Sequence, residues 1–252
     1  GFERSVEKVE QYGYDGIELA LKSAEEFEQE RLASILDSSG IEVSCISTGQ
    51  VFAASGLFFT HPDPKVRQKT IDGFRQLIAI AHDYGKMVNI GRARGFIPRE
   101  GNQEETEQLF LEGLHCILED AEKYQVDIVV EPVNRYEINF LNSVEETVPF
   151  LSRISSKRIG VMPDVFHMNI EDRDICESLR LCGNLLKYVH LADSNRRAPG
   201  QGHLDFPGII QTLREVDYPG WCSVEILPYP EPDIAARQAA EYLIPLLHST
   251  KI

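Results

Sequence analysis

Apolar residues recur along this chain in two rhythms, and the rhythms alternate. Returns every three to four residues mark amphipathic helices, and short near-continuous apolar runs mark buried strands. An acidic helical stretch over 2–12 leads into the run Asp15-Gly-Ile-Glu-Leu-Ala20. A second helix is predicted over 24–39, closing at Gly40, and Ile41 to Thr48 is β-branched and strand-like. Asp63-Pro64 opens a long helix to Tyr84, since Asp caps and Pro fits the first helical position. Met87 to Gly91 is the next strand, 102–125 an acidic helix, and Asp127 to Pro132 a strand apolar enough for burial on both faces. Ser143-Val-Glu-Glu146 is a capping box, and Pro149 should kink the helix it opens. Further strands are predicted at Ile159 to Asp164, Tyr188 to Ala192 and Trp221 to Ile226, with helices over 172–185, 206–216 and 232–247.

Seven strands alternate with eight helices, without a linker or a shift in composition, across residues 1–252. That is the pattern of parallel βαβ units in one domain. The fold class is therefore α/β, and the 252-residue length matches a (β/α)8 TIM barrel of roughly 250 residues. A closed barrel needs eight strands. The chain opens on a helix, so the first strand is expected before Gly1.

In such a barrel, chemistry collects at the carboxyl ends of the strands. Four successive strands here end in a metal-competent side chain: Glu131, Asp164, His190 and Glu225. Taken singly, each reads more simply as a salt-bridge partner or a hydrogen-bonded structural residue. Together they would converge on the barrel axis, where three carboxylates without a cation repel one another. A divalent ion removes that conflict. The oxygen-rich donor set with one nitrogen suits Mn²⁺ first, with Mg²⁺ or Co²⁺ next and Zn²⁺ as the remaining alternative.

The segments Glu131-Pro-Val-Asn-Arg-Tyr-Glu137, Pro163-Asp-Val-Phe-His-Met-Asn169, His190-Leu-Ala-Asp-Ser-Asn-Arg196, Pro199-Gly-Gln-Gly-His-Leu-Asp-Phe206 and Ser223-Val-Glu225 resemble the sugar isomerase/epimerase family. That family has the xylose isomerase-like barrel. The resemblance is weak up to residue 125 and strong beyond it, and is nearest to the D-tagatose/D-psicose 3-epimerase branch. It implies that Glu131, Asp164, His190 and Glu225 hold the metal and that Glu131 and Glu225 are also the acid–base pair. It implies that Glu137, His167 and Arg196 bind the sugar's oxygens, and that the protein is a homodimer or homotetramer. The expected reaction is C3 epimerisation of a free ketose or keto-sugar acid through an enediolate. Aldose–ketose or hydroxypyruvate isomerisation and keto-inositol dehydration share that chemistry and stay open as alternatives.

Forty acidic against 25 basic residues give a formal charge of −15. Nucleic-acid binding draws most of its affinity from basic contacts to phosphate, so it is disfavoured. This bears on Gly200-Gln-Gly-His-Leu-Asp205, because apurinic-site nucleases of the same barrel carry a nearby Asp-x-His for a trinuclear zinc site. Here the order is His203-x-Asp205. Counting the strand expected before Gly1 as the first, the third and fourth strands end in Ser47-Thr48-Gly49 and Asn89-Ile90-Gly91, without histidine. A non-catalytic sugar-binding barrel is also disfavoured, because binding alone does not require the second Glu. The segment from Thr48 to Pro62, with Phe52, Leu57, Phe58 and Phe59, fits a core loop as well as a pocket wall or a subunit contact. Five scattered cysteines without a CxxC pair read as buried thiols of a reducing compartment. With no apolar run near 18 residues and no leader-like start, a cytoplasmic protein without a membrane partner is expected.

Overall fold

The computed structural model describes residues 1–248, apart from the side chains of Gln50, Phe52 and Ala53. Seven parallel strands form: β1 (Gly16–Ala20), β2 (Glu42–Ser47), β3 (Met87–Ile90), β4 (Asp127–Val130), β5 (Ile159–Val161), β6 (Tyr188–Leu191) and β7 (Trp221–Val224). The first five pair in chain order, and β6 pairs with β7. Bridges between Val161 and Leu186 and between Asp164 and His190 join the two sheets. The helices are α1 (Phe2–Gln11), α2 (Gln29–Asp37), α3 (Gly49–Ser55), α4 (Pro64–Ala81), α5 (Gln103–Tyr124), α6 (Val144–Leu151), α7 (Val165–Glu171), α8 (Ile175–Cys182), α9 (Phe206–Glu215) and α10 (Pro232–His248).

Two of these, α3 and α7, were not predicted. Pro163 carries no N–H for a strand ladder, and the Asp164 Oδ1 accepts the Phe166 N–H at 2.9 Å. The strand therefore stops early and α7 starts where it was expected to continue. The helix predicted over 24–39 is a 3₁₀ turn at Ala24–Glu26 followed by α2. The caps read from sequence form: Asp63 accepts from the Lys65 N–H and Ser143 from the Glu146 N–H. Phe59 of the unassigned loop is core, packing on Phe74 and Phe110 at ring-centroid distances of 4.9 and 5.7 Å. The side chain of Phe52 lies outside the described residues. Cys45 and Cys182 are buried as expected, whereas the other three thiols are only partly so.

The molecule has two apolar layers. The outer one packs helices against the sheet. The inner one fills the barrel with Cys45, Met87, Val129, Met162 and Tyr188, against which Trp221 rests. Side chains on a strand return to the same face every second residue. One step above these fillers, the inward positions become Asn89, Glu131, Asp164 and His190, and Glu225 stands two residues beyond Ser223. The polar site is thus the upper layer of the same stack that makes the core.

Among the described residues, no pairing joins β7 to β1. A cavity of about 480 Å³ opens between them, walled on the outer side by Ala235, Ala239 and Leu243 of α10. At its amino-terminal end Trp221 lies against Gly16, where a Cβ would come within 3.0 Å of the indole. This seam is where the strand count leaves room for one more. No helix among the described residues is long and apolar enough to cross a membrane.

Candidate metal centre and active site

Glu131, Asp164, His190 and Glu225 each offer one donor atom, and all four atoms lie within 4.8 Å of one another. Donors at about 2.1 Å from one small divalent ion are at most about 4.2 Å apart. Side-chain shifts of about half an ångström would close this set around a cation, so the residues fit one divalent ion. Backbone pairing sets the arrangement. The Glu131 N–H donates to Ile90 O at 3.0 Å, and the His190 N–H to Pro163 O at 2.9 Å. Asp164 serves twice, with Oδ1 capping α7 and Oδ2 lying 3.9 Å from His190 Nδ1.

The electrostatics are those of a crowded anionic site. Burial pushes the Asp164 carboxyl up to about 6, with Arg196 pulling the other way. Burial would lower the His190 imidazole, but Glu18 and Glu225 hold it well above its ordinary value. Desolvation would raise Glu225, yet His190 and then Arg196 keep it well below the usual carboxylate range. A cation placed among these oxygens would do the same neutralising work as the imidazolium and guanidinium.

Arg196 sits over this group. Its two terminal nitrogens pair with Asp164 Oδ2 and Glu225 Oε2. Its guanidinium lies 4.7 Å above the Phe166 ring of α7. The residue has φ +61°, a left-handed conformation in a turn whose Arg196 N–H donates to Asp193 O. Asp193 organises the loop by accepting backbone N–H groups of Ser194, Gly200 and Leu204 at 2.8, 2.8 and 3.2 Å. Gly202 is required here, since a Cβ would lie 2.2 Å from Asp193 Oδ1.

His167 projects from α7 with Nε2 3.9 Å from Asp164 Oδ2. The Asn134 side-chain oxygen accepts the Tyr136 N–H, so its amide nitrogen faces His167 Nδ1, at 2.7 Å. Nδ1 is therefore an acceptor, and the proton sits on Nε2, facing the site. Burial lowers the pKa of this imidazole, which keeps it neutral. Glu137 lies at the rim, exposed, with Oε1 3.4 Å from the same Asn134 amide. All seven residues singled out from the sequence thus fall at one end of the barrel. His203 and Asp205 do not join them: His203 faces Ser194 Oγ at 2.9 Å, and Asp205 caps α9 through the Gly208 N–H.

Sequence reasoning missed three groups that shape the site. Glu18 of β1 lies 2.8 Å from His190 Nε2. Asn134 orients His167. Arg94, fully buried, donates to the carbonyls of Gly91, Glu131, Phe140 and Leu141 at 2.8–3.0 Å. A charged residue in mid-strand, as in Gly16-Ile-Glu-Leu-Ala20, was the available signal for the first. Asn134 stands within the quoted Glu131–Glu137 segment, but no sequence signal marks Arg94.

Fold and donor set define a metal-competent α/β barrel. The model of the xylose isomerase-like TIM barrel family matches residues 6–246, and the chain belongs to that family. It is 28% identical over 219 residues to the D-psicose 3-epimerase of Agrobacterium fabrum, covering 85% of this chain and 75% of that one. It is 25% identical over 230 residues to the 3-dehydro-D-guloside 4-epimerase of Escherichia coli, covering 86% and 84%. The structure superposes on that of a D-psicose 3-epimerase with D-tagatose from Clostridium cellulolyticum H10 with a TM-score of 0.87 and 22% identity, over 98% of this chain and 94% of the other. The chain is an enzyme of the isomerase class, within a group of ketose 3-epimerase relatives.

Proposed function

We propose that this chain is a divalent-metal-dependent epimerase that inverts C3 of a free ketose. The observation that carries this reading is the pair of carboxylates, Glu131 and Glu225, reaching one four-donor cluster from strands β4 and β7. Relatives named ketose 3-epimerases support it.

Inversion beside a ketone needs a proton removed from one face of the carbon and one delivered to the other. One carboxylate takes the C3 proton, and the C–H electron pair moves into the C2–C3 bond and onto the carbonyl oxygen. The other carboxyl group then gives a proton to the opposite face as the pair returns. Arg196 supplies positive charge where that oxygen becomes anionic, and the His167 Nε2–H adds a hydrogen-bond donor. Glu137 at the rim accepts from a sugar hydroxyl. A divalent ion in the cluster, Mn²⁺ by preference, would supply Lewis-acid stabilisation worth several kcal/mol.

The test is incubation of the Mn²⁺-treated protein with a panel of free ketoses in D₂O. The expected result is an epimeric ketose carrying deuterium at C3. Deuterium at C2 of an aldose product and at C1 of the recovered ketose, with none at C3, would assign aldose–ketose isomerisation instead. A panel without turnover would remove the reading. A 3-keto glycoside belongs in the panel, because the Escherichia coli relative is named a 4-epimerase of such a sugar.

A further inference from the structure

The imidazole of His190 has a carboxylate on each side. Nδ1 faces Glu131 Oε1 at 3.3 Å and Glu225 Oε2 at 3.2 Å. Nε2 faces Glu18 Oε1 at 2.8 Å. A carboxylate only accepts, so Nε2 must carry a proton for that contact to be a hydrogen bond. Glu18 lies outside the four-donor cluster, behind the ring. It is itself held: the Tyr188 hydroxyl donates to the same Oε1 at 3.0 Å, and Ser44 Oγ lies 2.7 Å from that hydroxyl. Among the described residues its strand pairs only with β2, along the open seam, and Glu18 lines the cavity there.

We propose that Glu18 is a positioning residue of the metal centre: it accepts the Nε2–H of His190, fixes the tautomer, and leaves Nδ1 as the lone pair aimed at the cation. The proposal rests on the reading of the cluster as a metal site and goes beyond its four donors. Metal-bound imidazoles commonly donate their other N–H to a carboxylate, which orients the ring and makes the bound nitrogen more basic. In this chain the support extends two residues further, through Tyr188 and Ser44. Both lie in the barrel interior and hold the Glu18 carboxylate, so the ring cannot turn without breaking its hydrogen bond to a fixed acceptor. Glu18 touches no reacting atom.

The experiment measures Mn²⁺ affinity by chelator competition in the wild type, E18Q, E18A and Y188F. Histidine ¹⁵N shifts of the Zn²⁺-loaded proteins report the tautomer of His190. E18A is expected to bind Mn²⁺ about 10–100-fold more weakly and to lose the single Nε2–H tautomer. E18Q keeps an acceptor oxygen and nearly the same shape, so about a tenfold loss is expected, and Y188F should lose less. Thermal melting of the metal-free variants identifies any that fail to fold, and E18Q then carries the test. E18Q and E18A that bind Mn²⁺ within twofold of the wild type, with the tautomer unchanged, would overturn the role of Glu18 alone. A wild type that binds no Mn²⁺ would overturn the metal-site reading and this role with it.

Discussion

The two carboxylates assigned to proton transfer stand in opposite surroundings. Glu131 follows β4, a strand paired on both sides and buried over its last three residues. The residue is 7% exposed, and Arg94 clamps its carbonyl from below at 2.9 Å. Glu225 follows β7, which has one paired neighbour and is only partly buried along its whole length. Its side chain is 48% exposed beside the open seam. What fixes Glu225 is polar: Arg196, and the Leu227 N–H donating to Arg196 O at 2.7 Å. The barrel therefore holds one of the two proposed acid–base groups by packing and the other by a charge-bearing loop. Sheet burial fixes the first, while the position of the second depends on Arg196.

The sharpest way to break this comparison is to remove each carboxylate's ability to carry a proton. Glu131→Gln and Glu225→Gln are each expected to lower kcat for epimerisation about 10³-fold. The surviving carboxylate still serves one face. Each variant should therefore exchange C3 hydrogen with D₂O in only one epimer of the pair, and the two variants in opposite epimers. NMR of each epimer in D₂O checks this, with metal content measured alongside. Exchange in both epimers by one variant would mean that a single group serves both faces.

The packing side of the comparison is tested at Arg94. Burial lowers its pKa to about 10, so it stays a cation at neutral pH. Arg94→Met would strand four buried carbonyls that now share its donors. A loss of about 3–5 kcal/mol in denaturant unfolding is expected, the size seen when one partner of a buried charged contact is removed. Ser223→Ala on the partly buried β7 should cost below about 1 kcal/mol. Equal losses at the two positions would dissolve the distinction between wall and edge.

The loop side is tested at Asp193. Burial would raise its carboxyl, yet the N–H groups of Ser194, Leu204, Gly202 and Gly200 hold it below the usual range. Asp193→Asn keeps the size and loses the charge that these donors face. An increase in KM with a stability loss of about 1–2 kcal/mol is expected. An unchanged KM would separate the loop from the placement of Arg196.

How much of this was legible follows from where each residue stands. Glu131, Asp164, His190 and Glu225 end apolar runs, and a polar residue at the end of a buried strand stands out in one dimension. Glu18 reaches the same centre from mid-strand, and its partner His190 is 172 residues away. Arg94 reads as a surface arginine, because what it binds is backbone, which has no sequence identity. Helix α7 was hidden by Val165-Phe166, which continue an apolar run. Only the dual use of Asp164 as cap and donor shows that the run turns. Strand order and the alternation were readable because period is local. The unpaired seam was readable only as a count of seven.

The smallest expected effect tests whether the packed wall is satisfied throughout. Asp172 follows α7 and accepts the N–H of Val144, the first residue of α6, at 3.2 Å. Burial pushes its carboxyl up from 3.8 to about 6, and hydrogen bonds from Ser178 and Val144 offset this only in part. A folded-state pKa above the unfolded value means that the folded protein binds the proton more tightly. That contribution to stability is complete below about pH 4 and is lost as pH rises through 6. At neutral pH the wild type therefore carries a buried charge at a cost. Asp172→Asn keeps the oxygen that accepts from Val144 and removes the charge. Denaturant unfolding should show it more stable than the wild type by about 1–2 kcal/mol at pH 7.5, with the advantage shrinking steadily towards pH 4. A variant that is less stable at pH 7.5 would mean that the ionised carboxylate is fully compensated, and that the packed side of the barrel tolerates charge as well as the exposed edge at β7 does.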